Sequence, residues 1–230
     1  MNRLLCIGHR GASGHEPENT LRSVRRALDL GADGIEIDVY FVDGELVVIH
    51  DAKLERTTNG RGYVARKTFD ALRALDAGHG ERIPTLREVF ETVDGQAFIN
   101  IELKGKRTAA PVTTLIREFV ARHDRRYEDF LVSSFNRREL RAVSDQRIPI
   151  ALLLTRPTRL YALSARRVRA SAVNPAARFV NARFVEDAHR RGLRVFPYTV
   201  NAPAEIARLR KLGVDGMFTD FPERVAGNNQ

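Results

Sequence analysis

Residues 35–50 read Ile35-Glu36-Ile37-Asp38-Val39-Tyr40-Phe41-Val42-Asp43-Gly44-Glu45-Leu46-Val47-Val48-Ile49-His50. The first seven alternate between apolar and acidic or polar side chains, the period of a strand with two unlike faces. Asp43-Gly44 then gives a tight turn, too short a link for a parallel neighbour, so the following strand must return antiparallel. Register matters, because His50 ends the hairpin. A two-residue turn would place His50 opposite Ile37, whereas a three-residue loop with Gly44 left-handed in a bulge would place it opposite Glu36. We expect the bulged form.

Outward from this hairpin, strands and helices alternate. Strands are expected at Leu4–Gly8, Ile35–Phe41, Phe98–Leu103, Phe130–Ser133, Ile148–Leu154, Ala170–Asn174, Arg194–Val200 and Gly216–Thr219. Helical periodicity starts after Asn19 or Thr20, either of which can cap, with Leu21, Val24, Ala27 and Leu28 on one face. Thr85 and Glu88 have capping-box spacing ahead of Leu86, Val89, Phe90 and Val93. Further helical patterns fall near residues 111–123, 136–145, 157–168, 182–191 and 203–212. Eight strands separated by helices suit a closed (β/α)8 barrel, a TIM barrel, with a β-hairpin and capping loop inserted after strand 2. A doubly wound open sheet is the competitor, but no G-x-G-x-x-G turn supports it.

Composition sets the remaining bounds. The 230 residues fit one α/β domain, residues 1–230, with the insertion at about 42–84. Cys6 is the only cysteine, so no intrachain disulfide can form. The apolar run before Gly8 is short for a signal segment or membrane anchor, and a cytoplasmic protein is expected. Net charge is +9 from 38 Lys+Arg against 29 Asp+Glu. The basic clusters, such as Arg137-Arg138 and Arg166-Arg167, lie on helical patterns and read as solvated faces. No nucleic-acid motif accompanies them, so no nucleic-acid partner is expected. The surplus would instead draw in an anionic small molecule.

Polar groups crowd the strand ends. Glu36 and Asp38 share one face, and Glu102 closes the strand Phe98–Leu103 in the same manner. Carboxylates this close resist ionisation unless a cation joins them. Three of them without a cysteine suit one hard divalent cation, Mg²⁺ or Ca²⁺. His9 follows the first strand and His50 ends the hairpin. Such a pair can act as acid and base near neutral pH. Arg10 and Lys104 are natural partners for a phosphate. Glu18, in Pro17-Glu18-Asn19-Thr20, belongs to a helix start, or holds Arg10 or a substrate hydroxyl. Tyr198 either packs against the substrate or is a plain rim aromatic.

Taken together, the chain resembles the glycerophosphodiester phosphodiesterases of the cytoplasmic bacterial type. The shared features are His9-Arg10-Gly11 with Pro17-Glu18-Asn19-Thr20, Glu36-x-Asp38-Val39, His50-Asp51, Glu55-Arg56-Thr57-Thr58-Asn59-Gly60, Asn100-Ile101-Glu102-Leu103-Lys104, Ser133-Ser134-Phe135, Tyr198-Thr199-Val200-Asn201 and Gly216-Met217-Phe218-Thr219-Asp220. The resemblance implies a TIM barrel that hydrolyses glycerophosphodiesters to an alcohol and glycerol 3-phosphate. It implies a divalent cation on Glu36, Asp38 and Glu102, acid–base work by His9 and His50, and phosphate binding by Arg10 and Lys104. The position of Tyr198 often carries Trp in the family. A glycerol 2-hydroxyl attacking to give a cyclic phosphate is the expected route. A small-molecule glycerophosphodiester is the implied partner, and a homodimer is compatible with this reading. The rivals are a lysophospholipase D-like enzyme on the same fold and a phosphate-binding protein without catalysis.

Overall fold

The computed structural model describes residues 3–143, 145, 147–156, 158 and 160–227. Eight strands run parallel in the order β8-β7-β6-β5-β4-β2-β1-β9. They are β1 (Leu5–His9), β2 (Gly34–Val42), β4 (Phe98–Leu103), β5 (Phe130–Ser134), β6 (Ile150–Leu154), β7 (Ala172–Pro175), β8 (Arg194–Val195) and β9 (Gly216–Thr219). A ninth strand, β3 (Glu45–Val48), pairs antiparallel with β2. Around the sheet lie α1 (Leu21–Asp29), α3 (Leu86–Val93), α4 (Ala109–Arg122), α5 (Arg137–Ala142), α6 (Tyr161–Arg167), α7 (Ala182–Arg190), α8 (Pro203–Lys211) and α9 (Glu223–Ala226), with α2 (Phe69–Arg73) in the excursion after β3. This is the expected (β/α)8 TIM barrel. Residues 144, 157 and 159, inside two of the expected helical patterns, lie outside the described residues.

The barrel closes between β8 and β9 without a regular ladder. Asp215 donates its N–H to Val195 O (3.1 Å), Phe218 to Pro197 O (2.9 Å), and Val200 to Phe218 O (2.8 Å). A strand expected over Arg194–Val200 therefore shortens to two ladder residues. Pro197 has no N–H to contribute, which interrupts the pattern.

Alternation along the strands sorts side chains into two cores. Ile35, Ile37, Val39, Ile99, Ile101 and Leu103 face the helices in the large outer core. Ile7, Leu131, Ala151, Ala172, Phe196 and Phe218 fill the barrel interior. Phe98 packs inside too, so close that a Cβ on Gly34 would lie 2.4 Å from its ring. Glycine is required there by close approach, not by backbone conformation. Two residues further along the same strands the interior changes character. His9, Asn100, Ser133, Asn174 and Tyr198 line a cavity of about 260 Å³ at the strands' C-terminal ends.

Local signals place the helices. Thr20, not Asn19, caps α1 by accepting from Ser23 N–H, which frees Asn19 for the site. Thr85 and Glu88 form the capping box of α3.

The hairpin differs from expectation. The register pairs Val42 with Glu45 and Val39 with Val48, so the loop has two residues and no bulge. Asp43 (φ 50°) and Gly44 (φ 83°) are both left-handed, the primed turn whose twist matches the strands it joins. Strict continuation would put His50 opposite Ile37, facing the outer core. Instead β3 ends at Val48, Ile49 makes a last bond to Asp38 O (2.9 Å), and the chain bends. Leaving the ladder releases His50 from strand alternation, and its imidazole lines the cavity.

After the bend the chain builds a small core of its own. Leu54, Val64, Leu72, Ala77 and Ile83 pack on Val42, Val47 and Ile49 of the hairpin. It sits beside the barrel mouth; none of residues 51–84 lines the cavity.

Candidate active site

Strand register brings the three acidic residues together. Asp38 lies beside Glu102 across β2 and β4, and Glu36 lies between His9 on β1 and Asn100 on β4. One carboxylate oxygen from each of Glu36, Asp38 and Glu102 falls within 4.8 Å of the others. Glu36 and Asp38 are 3% and 1% exposed. Burial, then the Asp38 charge, pushes the Glu36 carboxyl up to about 8. Glu102 is raised for the same two reasons, with Lys104 opposing. Such groups fit a hard divalent cation, which would compensate the repulsion with oxygen ligands alone.

Nearby cations only partly answer this charge. Lys104 Nζ donates to Glu102 Oε1 (2.9 Å) and lies 3.5 Å from Asp38 Oδ1. Arg10 donates its backbone N–H to Glu36 Oε2 (2.9 Å) and its Nη1–H to Glu18 Oε1 (2.7 Å). Its Nε, 3.3 Å from Asp38 Oδ2, is buried and makes no hydrogen bond. Asn19, left-handed at φ 59°, donates to Asp38 Oδ2 (2.9 Å) and accepts the Asp38 N–H (3.2 Å). These contacts aim Asp38 into the site and leave Arg10 and Lys104 at the cavity wall.

Each imidazole at the cavity is held by an aspartate. His9 donates from Nδ1 to Asp220 Oδ1 (2.7 Å), and His50 from Nδ1 to Asp51 Oδ1 (2.6 Å). Both thus keep Nε2 for proton transfer. Asp220 also accepts from Ser13 Oγ (2.7 Å) and from Asn201. Burial opposes its ionisation, yet these bonds hold it down at about 2. The two histidines diverge. Burial would lower His9, but the bond to Asp220 and the Glu36 charge outweigh it and raise its pKa. For His50 burial prevails over the acidic neighbours and lowers it.

All nine residues singled out in the sequence lie in or against this site. Two of them do not line the cavity itself: Asp38, buried against Glu36 and Glu102, and Glu18, which holds Arg10. Tyr198 is half-buried, donates to Leu154 O (3.3 Å) and meets Phe135 edge-on at 6.0 Å. Sequence reasoning passed over Asp220 and Asp51 as histidine partners, although His50-Asp51 adjacency and the strand-end Asp220 were legible. It also passed over Asn174. That residue is fully buried at the cavity with Oδ1 and Nδ2 both unpaired, and Asn-Pro after a strand signals only a turn. Asn100 donates to Ser133 Oγ (2.9 Å) and leaves its own Oδ1 unpaired.

The model of the glycerophosphoryl diester phosphodiesterase family matches residues 9–224. The chain belongs to that family. It is 40% identical over 241 aligned residues to a glycerophosphodiester phosphodiesterase of Caldanaerobacter subterraneus subsp. tengcongensis, covering 97% of this chain and 96% of that one. It is 32% identical to a glycerophosphodiester phosphodiesterase of Bacillus subtilis, covering 96% and 85%. Among solved structures it is similar to an Oleispira antarctica phosphodiesterase in complex with its product sn-glycerol-3-phosphate. The TM-score there is 0.88, with 28% identity and 98% and 96% coverage. An Agrobacterium tumefaciens glycerophosphodiester phosphodiesterase gives TM-score 0.83 at 29% identity, covering 99% and 100%. Family membership makes the chain an enzyme of the phosphodiesterase class.

Proposed function

We propose that the protein hydrolyses small glycerophosphodiesters to an alcohol and glycerol 3-phosphate at the cavity between His9 and His50. The observation that carries this is one cavity walled by Glu36 and Glu102, with Asp38 crowded against both, and by two aspartate-held imidazoles of opposite pKa tendency. Glu36, Asp38 and Glu102 would hold one divalent cation, Mg²⁺ or Ca²⁺, which when bound supplies charge neutralisation at the phosphodiester. Arg10 and Lys104 add fixed positive charge on the phosphate oxygens.

The histidines divide the proton work. His50, held low, is the base: its Nε2 takes the proton of the glycerol 2-hydroxyl. The resulting alkoxide attacks phosphorus, and the bond to the departing alcohol breaks. His9, held high, donates its Nε2 proton to that alcohol. Water then opens the cyclic phosphate with the two roles exchanged: His9 takes a proton from the water, His50 gives its proton back to the glycerol 2-oxygen, and each imidazole ends in its starting protonation state. Asp51 and Asp220 keep each ring turned for the transfer.

Turnover of glycerophosphocholine, glycerophosphoethanolamine and glycerophosphoglycerol, with and without chelator, tests the reading. Activity is expected on at least one of them and is lost on chelation. His9→Ala and His50→Ala should each lower kcat by roughly 10²–10⁴-fold. Wild-type rates in either variant remove that histidine from the scheme. A substrate methylated at the 2-hydroxyl should be inert, and its normal turnover would refute the cyclic intermediate.

A further inference from the structure

We infer that Arg56, carried by the excursion after β3, is a positioning residue that locks His50 and Arg10 into one geometry. The inference rests on the proposed roles of those two residues. Arg56 does not line the cavity, and it comes from Glu55-Arg56-Thr57-Thr58-Asn59-Gly60, a stretch that the catalytic scheme leaves without a task.

The geometry is a continuous chain of charge-assisted bonds. Asp51 uses Oδ1 to hold His50 Nδ1 (2.6 Å) and Oδ2 to accept from Arg56 Nε (2.6 Å). Arg56 then grips Glu18 with both remaining nitrogens, Nη1 to Oε2 (2.6 Å) and Nη2 to Oε1 (2.8 Å). Glu18 Oε1 in turn accepts from Arg10 Nη1 (2.7 Å). One guanidinium thus spans the aspartate that turns the imidazole and the glutamate that holds the phosphate-facing arginine. The planar fork makes this span specific, since it holds three donors on three nitrogens in one rigid plane, whereas an ammonium presents all of its donors from a single nitrogen.

The backbone of Arg56 is itself fixed. Leu54, two residues earlier, is fully buried in the small core. Thr58 closes the turn by donating both its N–H (3.0 Å) and its hydroxyl (2.8 Å) to Leu54 O. The small core therefore anchors a side chain that reaches back to the barrel mouth.

Stability offers little reason for such a cluster. The Arg56 side chain is 48% exposed, and ion pairs of that exposure contribute little to folding. Orientation of reacting groups is different, since misplacement by about 1 Å can cost on the order of 10²-fold in rate.

The experiment compares the wild type with Arg56→Ala and Arg56→Lys, using thermal melting and steady-state kinetics on the best glycerophosphodiester. Arg56→Ala is expected to melt near the wild type while kcat falls about 10–10²-fold and KM rises, because His50 and Arg10 are loosened together. Arg56→Lys restores the charge but not the fork, so it recovers part of KM and little of kcat. Asp51→Asn should cost much less in the Arg56→Ala background than alone. If Arg56→Ala fails to fold, Arg56→Lys and its cycle with Asp51→Asn carry the test. Wild-type kcat and KM in Arg56→Lys and, where it folds, in Arg56→Ala would overturn the inference, as would strict additivity with Asp51→Asn. Those results beside an inactive His50→Ala would sink Arg56 alone, whereas an active His50→Ala would sink the catalytic reading.

Discussion

Glu36 sits where a carboxylate is least easily charged, buried between a histidine and two other acids. Its carboxyl, pushed up to about 8 by burial and by Asp38, binds a proton more tightly in the folded metal-free protein than in the unfolded chain. Stability linked to this group is therefore complete below the ordinary carboxylate range and is lost as pH rises toward about 8. The expected result is that melting in chelator shows a stability deficit growing between pH 5 and pH 8, and that Mg²⁺ or Ca²⁺ reduces it. Glu36→Gln should flatten that dependence and weaken cation binding in calorimetry. A deficit unchanged by either manipulation would place the pH sensitivity elsewhere. At the same scale Asn19 shows how little a sequence says about an asparagine. It reads as a helix cap, yet Thr20 takes that duty and Asn19 binds both sides of Asp38.

At the level of elements, the turn at Asp43-Gly44 fixes the hairpin register. A Cβ on Gly44 would meet nothing within 4 Å, so substitution there has only a conformational cost. Gly44→Ala should destabilise by about 1 kcal/mol, the penalty for an L-residue in the left-handed region. Denaturant unfolding should show a lowered midpoint and an unchanged slope. A loss of several kcal/mol would mean that the register itself had slipped. The expected bulge was built on the need to turn His50 inward. The fold meets that need by ending β3 at Val48 and bending the chain, a solution that strand periodicity cannot represent. Pro197 gives a parallel case, since its missing N–H turns an expected seven-residue strand into two ladder residues and a few single bonds.

Over the whole molecule, a net charge of +9 surrounds a pocket that takes a phosphodiester anion in the proposed function. Long-range attraction should raise the encounter rate and be screened by salt, because the Debye length shrinks from about 10 Å at 0.1 M to about 3 Å at 1 M. kcat/KM should fall with ionic strength while kcat changes less. A salt-independent kcat/KM would show that encounter owes nothing to the surface charge. The barrel also explains why the excursion after β3 tolerates so irregular a path. It carries its own buried residues, Leu54, Leu72 and Ile83, and needs the barrel only as a platform.

The sequence by itself determined the barrel, because alternating periodicities and capping residues are local properties that neighbouring side chains enforce. It also determined the carboxylates and the two histidines, because those residue types crowd strand ends where no core could use them. Tertiary structure alone decided the partners. Asp220 reaches His9 across 211 residues, Arg56 reaches Glu18 across 38, and Asn174 is brought unpaired to the cavity. Periodicity extends only a few residues along the chain, whereas these contacts are set by where the closed sheet and the small core beside it place distant strand ends.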